Sequence, residues 1–186
     1  MAQKFKYFVV FAEMRTGSNL LETHLNAYDD ISCVGEAFNP SFIGYPNRTD
    51  LLGISQKERD GDPMQLLYAI RDQSSETVGF RFFHDHDPRV LKAILPDPDC
   101  AKIILTRNPL DSYVSWKIAQ ATDQWKLTNV AKRKEQSIEF NLQEFTGRLQ
   151  NLQLFQKLLI KELQKSGQTC FYITYDDLTE LDIVNG

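Results

Sequence analysis

Five consecutive residues, Arg15-Thr16-Gly17-Ser18-Asn19, join an apolar run to a segment of helical periodicity. A strand, a glycine turn and a helix start together make a site for an anion. The free N–H groups of the first turn point outward, and the helix dipole places roughly half a positive charge there. Gly17 permits the tight turn, Thr16 and Ser18 carry hydroxyl donors, and Arg15 carries a fixed fork of N–H groups. This is no Walker A loop, because the Gly-x-x-x-x-Gly-Lys-Ser/Thr pattern is absent. The same residues also make an ordinary turn with an N-capping serine, and taken alone they leave both readings open.

A second segment runs from Arg107, at the end of an apolar stretch, to Ser115, two turns into the next helical stretch. At that spacing the two side chains can meet on one phosphate, although strand ends often carry a charge and Ser115 can equally face solvent. Two anion-competent strand ends in one sheet suit a nucleotide phosphorylated at both its 5′ and 3′ positions.

The elements that must position these groups follow from periodicity and punctuation. Strands are predicted over Lys6 to Ala12, Ile31 to Val34, Thr77 to Phe83, Ala101 to Thr106 and Thr169 to Tyr175. Helices are predicted from Ser18 to about Tyr28, and from Pro63 to about Gln73 behind an Asp62 N-cap. Others run from Asp87-Pro88 through Leu95 and from Asn108-Pro109 to about Gln120. A long helix is expected from Gln136 to Lys165, ended by Gly167, with Ile138, Phe145, Leu152, Phe155 and Leu159 on its apolar stripe. Core packing is the first expectation for that stripe and a homodimer interface the lesser one. Gly35 to Asp60, with two prolines and three glycines, reads as an irregular loop over a site. Alternating strands and helices give the fold class α/β, a mostly parallel sheet with helices on both faces. In such sheets ligands bind at the carboxyl ends of the strands, where both segments lie.

Composition bounds the function. At 186 residues the chain fits one domain, residues 1–186, with enough length for a sizeable core. A net charge of −4 argues against a nucleic-acid partner, which needs a broad basic surface, but not against a local anion site. Cys33, Cys100 and Cys170 lack paired spacing, so neither a disulfide framework nor a cysteine metal site is expected. The first apolar run is too short to cross a bilayer and no cleavage site follows it, which points to a soluble, cytoplasmic protein. His84 and His86 are interleaved with Asp85 and Asp87 as in a polar loop, and without a clear third ligand no metal is expected there. Trp116 is expected in the core, while Lys132, Arg133 and Lys134 read as a solvated basic turn.

Phe8 to Leu21 resembles the 5′-phosphosulfate loop of the sulfotransferases that use 3′-phosphoadenosine 5′-phosphosulfate (PAPS). Ile103 to Ser115 resembles their 3′-phosphate motif. Gly35-Glu36-Ala37-Phe38-Asn39 and Gly79 to His86 are similar to segments of the bacterial carbohydrate sulfotransferases of the trehalose and nodulation-factor type. The resemblance spans residues 6 to about 178.

It implies a fold related to the P-loop kinases, and PAPS as co-substrate with no metal. The function implied is transfer of a sulfuryl group to a hydroxyl of a small acceptor, expected to be a carbohydrate or glycolipid. On this resemblance Arg15, Thr16, Gly17, Ser18 and Asn19 hold the 5′-phosphosulfate, with Arg15 also acting on the leaving group, and Arg107 and Ser115 hold the 3′-phosphate. Glu36 is the expected base, with His86 and then His84 as alternatives because imidazoles titrate near neutrality. Met14 stands where the family usually has proline. Members usually continue into further helices and a covering loop, so a shortened C-terminal segment is the expectation for a chain ending at Gly186. The rival readings are a nucleotide kinase of related fold, which should carry a Walker lysine and a magnesium-binding aspartate, and a non-catalytic nucleotide- or sugar-binding domain.

Overall fold

The computed structural model describes residues 5–125 and 136–180. Five parallel strands form its central sheet in the order β2-β5-β1-β6-β7. They are β1 (Tyr7–Phe11), β2 (Ile31–Cys33), β5 (Thr77–Phe82), β6 (Cys100–Thr106) and β7 (Phe171–Thr174). Every residue of β1 is buried, as an unbroken apolar run covered on both faces must be. Its side chains alternate between two cores. Tyr7, Val9 and Phe11 pack with α3 (Pro63–Arg71), α4 (Pro88–Ile94) and α6 (Leu142–Ser166). Phe8, Val10 and Ala12 pack with α1 (Ser18–Leu25) and with Leu178 of α7 (Tyr175–Glu180). The strand–helix alternation of the sequence therefore gives the α/β architecture expected of it.

Three helices begin alike. Asp62, Asp87 and Asn108 accept from the backbone N–H groups of Met64, Arg89 and Leu110, each followed by a proline in the first turn, opening α3, α4 and α5 (Pro109–Thr122). The side chain supplies the acceptor that the first turn lacks, and proline fits where no N–H is needed.

Two expectations need correction. The long helix starts at Leu142 rather than Gln136, because the Asn141 side chain accepts from the Glu144 N–H and sets the boundary. Ile138 therefore lies outside it, and the buried stripe is Phe155, Leu159 and Leu163. Its end is as expected: Gly167 at φ 65 closes it, with the Gln168 N–H donating to the Leu163 carbonyl. The stretch from 35 to 60 is also more ordered than its composition suggests. Strands β3 (Asp50–Leu51) and β4 (Ile54–Ser55) pair through Leu52 and Gly53, both at positive φ, and α2 (Gln56–Gly61) follows behind a Ser55/Glu58 capping box. Arg59 of α2, only 1% exposed, donates to the carbonyls of Ala37 and Phe42 and so fastens the preceding loop to the body.

The strand order places the site. The chain leaves β1 toward β2 on one side and leaves β6 toward β7 on the other, so a crevice opens between the carboxyl ends of β1 and β6. Among the described residues no helix is long and apolar enough to cross a membrane.

Candidate active site

The loop after β1 turns twice through positive φ, at Arg15 (70°) and at Gly17 (98°). Gly17 is the N-cap of α1 and offers no side-chain cap. Its lack of a Cβ is obligatory, because a methyl there would lie 2.5 Å from the Tyr175 ring. The Thr16 hydroxyl donates to the Glu13 carbonyl at 2.7 Å, so it braces the turn from inside. Arg15 reaches across the crevice: its Nε donates to the Ser115 hydroxyl at 3.0 Å and its Nη1 to the Trp125 carbonyl at 2.6 Å.

Arg107, just past β6, closes on the same loop. Its Nη1 donates to the Arg15 carbonyl at 3.1 Å, and the Ser112 hydroxyl donates to that oxygen at 3.0 Å. Its guanidinium lies over the Tyr175 ring, 3.9 Å from the centroid. Arg107 and Ser115 are thus each bonded to a different part of Arg15. Burial first, and then the charge of Arg107, push the Arg15 guanidinium below its ordinary range. Among the described residues no carboxylate lies within ion-pair distance of either arginine, and the buried Nε of Arg107 has no partner. Two close cations beside a helix start without a side-chain cap are an arrangement whose chemistry suits a polyanion. A cavity of about 360 Å³ adjoins Arg107, lined also by Asn108, Gln156, Thr174 and Asp176 among others. Another, of about 190 Å³, lies at the opposite end of the sheet beside Tyr7, where Tyr7 and Arg71 are already bonded to Asp97 and Asp99.

Behind the loop lies a buried charged network. Arg81 on β5 meets Glu22 of α1 through Nε at 2.7 Å and Glu36 through Nη1 at 3.4 Å. The same Nη1 donates to Asn19 Oδ1 at 2.6 Å and to Ser18 Oγ at 3.3 Å. Glu36 also accepts from Asn39 Nδ2 at 2.7 Å and faces His86 Nε2 at 3.5 Å, without the geometry of a hydrogen bond. Burial alone would raise the Glu36 carboxyl, but His86, Arg81 and Asn39 together outweigh it and hold it below the usual carboxylate range. The His86 side chain is fully buried, stacked on Phe83, and its Nδ1 has no partner.

His84 serves another place: its Nδ1 is 2.9 Å from both oxygens of Glu13, a contact that raises its pKa. The two imidazoles thus have different partners. Trp116 is only half-buried, contrary to expectation, because α5 turns it outward and the Arg148 guanidinium covers its face at 4.2 Å. Lys132, Arg133 and Lys134 lie outside the described residues.

Sequence reasoning missed Glu22, Tyr175 and the part played by Arg81. One signal was present: a lone arginine among Phe80, Phe82 and Phe83, in a strand reading as buried, must find partners. Nothing in the spacing pointed to Glu22 as one of them.

No protein-family model matches the sequence, nor does any curated protein. Among solved structures the chain is similar to a sulfotransferase from Alicyclobacillus acidocaldarius, with a TM-score of 0.53 and 17% identity, covering 96% of this chain and 76% of that one. At that identity the likeness is one of fold.

Proposed function

We propose that the protein is a sulfotransferase that moves a sulfuryl group from PAPS to a hydroxyl of a small acceptor, a carbohydrate or glycolipid. The observation that carries this reading is the pairing of Arg15 and Arg107 at one crevice beside the uncapped start of α1, where Arg107 and Ser112 both donate to the Arg15 carbonyl and Arg15 donates to Ser115. A donor with phosphates at both ends of its ribose suits two cations on adjacent strand ends, and the unpartnered Arg107 Nε suits the 3′-phosphate. The likeness in fold to a sulfotransferase supports the same reading. The carbohydrate acceptor rests on the resemblance of residues 35–39 and 79–86 alone.

Transfer breaks the sulfur–oxygen bond to the 5′-phosphate and forms one to the acceptor oxygen, leaving negative charge on the phosphate and releasing a proton. Arg15, the α1 N-terminus and the hydroxyl of Ser18 face the leaving phosphate and stabilise its charge. Because they are already in place, little reorganisation accompanies the step. Glu36, held ionised at neutral pH, accepts the acceptor proton. His86 backs that carboxylate and is the alternative base. The test is transfer of radiolabelled sulfate from PAPS to a panel of hydroxylated sugars and glycolipids. A labelled product with intact sugar rings supports the reading, and ATP-dependent phosphorylation of the same panel would replace it with a kinase.

A further inference from the structure

β5 runs Thr77-Val78-Gly79-Phe80-Arg81-Phe82, and the Arg81 side chain is only 6% exposed. A guanidinium stays charged, so burying one costs stability unless each of its N–H groups is matched. An apolar residue would fill this position at less cost, since replacing buried ion pairs by packed apolar groups is often neutral or stabilising. Stability is therefore a weak reason for an arginine here.

Its contacts suggest another. One guanidinium touches Glu36, the first turn of α1 at Ser18 and Asn19, and the same helix again at Glu22. The Tyr45 hydroxyl donates to the other Glu22 oxygen at 2.8 Å, so Glu22 is itself held from the far side. Glu36 takes its remaining contacts from Asn39 and His86. Among the described residues, the charged and polar groups that face this carboxylate thus belong either to its own loop or to β5 and the segment after it.

We propose that Arg81 is a positioning residue that ties the carboxylate of Glu36 to the first turn of α1, so that the base and the donor-binding loop hold one fixed relation. The inference rests on Glu36 being the base, and it adds a reason for the buried Arg81–Glu22 pair that the proton transfer itself does not need. Aligned in this way, Glu36 stays charged and aimed while the loop carries the donor. Without Arg81, Glu36 keeps only Asn39 and His86, titrates higher, and swings free of the loop.

The experiment uses the full chain with Arg81→Met and Arg81→Lys, following release of 3′-phosphoadenosine 5′-phosphate from PAPS across a pH series, with water or an active sugar as acceptor. The expected result for Arg81→Met is a fall in kcat of about a hundredfold, larger than any rise in the KM for PAPS, and an acid limb displaced upward by about one pH unit. Arg81→Lys should recover part of both. A lower melting temperature with kcat and the acid limb unchanged would make Arg81 merely structural and overturn the inference. Should Arg81→Met fail to fold, carbon-13 titration of the Glu36 carboxyl in the unaltered protein and in Arg81→Lys decides. A midpoint that rises in Arg81→Lys supports the tie, and one that stays where it was refutes it. Glu36→Gln separates the two claims. If it turns over normally the base reading fails; if it is inert while Arg81→Met behaves as the unaltered protein, only the Arg81 inference fails.

Discussion

On the proposed function, Glu36 concentrates the chemistry at the scale of single residues. Its carboxyl is held below the usual range, so it is ionised throughout the neutral region, and acid is what removes it. Glu36→Gln keeps the shape and removes the charge. We expect turnover to fall by about 10²-fold or more while calorimetry shows the bisphosphate bound as before. His84 responds in the opposite sense. Its contact with Glu13 raises its pKa, so that contact contributes below about pH 6.5 and fades as pH rises through the folded value. Proton NMR of the imidazole should show a midpoint above the ordinary one, falling back in Glu13→Gln; an unmoved midpoint would remove Glu13 as the cause. What was legible at this scale is the chemistry of contiguous residues. Arg15, Gly17, Ser18 and Arg107 advertise an anion site because glycine, hydroxyls and arginines fall at strand ends. Arg81 stood in plain view in a buried strand, but its partners come from α1 and from the loop after β2. A linear pattern carries no measure of that distance.

Among the elements, α1 and α7 meet at the loop after β1, where Tyr175 packs against Gly17. A methyl on Gly17 would meet Tyr175 at 2.5 Å in a backbone conformation that side chains rarely adopt, and Tyr175 carries the Arg107 guanidinium over its ring. Gly17→Ala should therefore destabilise the protein by about 1–3 kcal/mol and weaken bisphosphate binding at least tenfold, measured by thermal unfolding and calorimetry. Unchanged binding in that variant would separate Tyr175 from the site. Phe155→Ala, on the buried stripe of α6, should cost about 3–5 kcal/mol without touching the crevice. Element types were readable where signals are strong, as in the Asp-Pro and Asn-Pro helix starts and the apolar run of β1. The start of α6 was not, because an apolar period runs through a boundary that one Asn141 hydrogen bond decides. The β3–β4 hairpin and α2 escaped notice because each is shorter than the window in which periodicity shows, although the Ser55-x-x-Glu58 box marked the helix. α7 follows β7 directly, and no turn signal separated the two.

For the molecule as a whole, five parallel strands in the order β2-β5-β1-β6-β7 bring two loops, separated in sequence by about half the chain, to one crevice. Alternation predicted the parallel sheet; the strand order, which only tertiary pairing defines, makes the two anion segments neighbours. The central claim is that this crevice recognises a nucleotide by phosphates on both sides of its ribose. Calorimetric titration with 3′-phosphoadenosine 5′-phosphate, beside AMP and ATP, tests it most directly when repeated on Arg107→Ala. The account predicts micromolar binding of the bisphosphate, much weaker binding of AMP and ATP, and loss of most of the bisphosphate affinity in the variant. Binding of ATP in preference to the bisphosphate, or bisphosphate affinity untouched by Arg107→Ala, would contradict it.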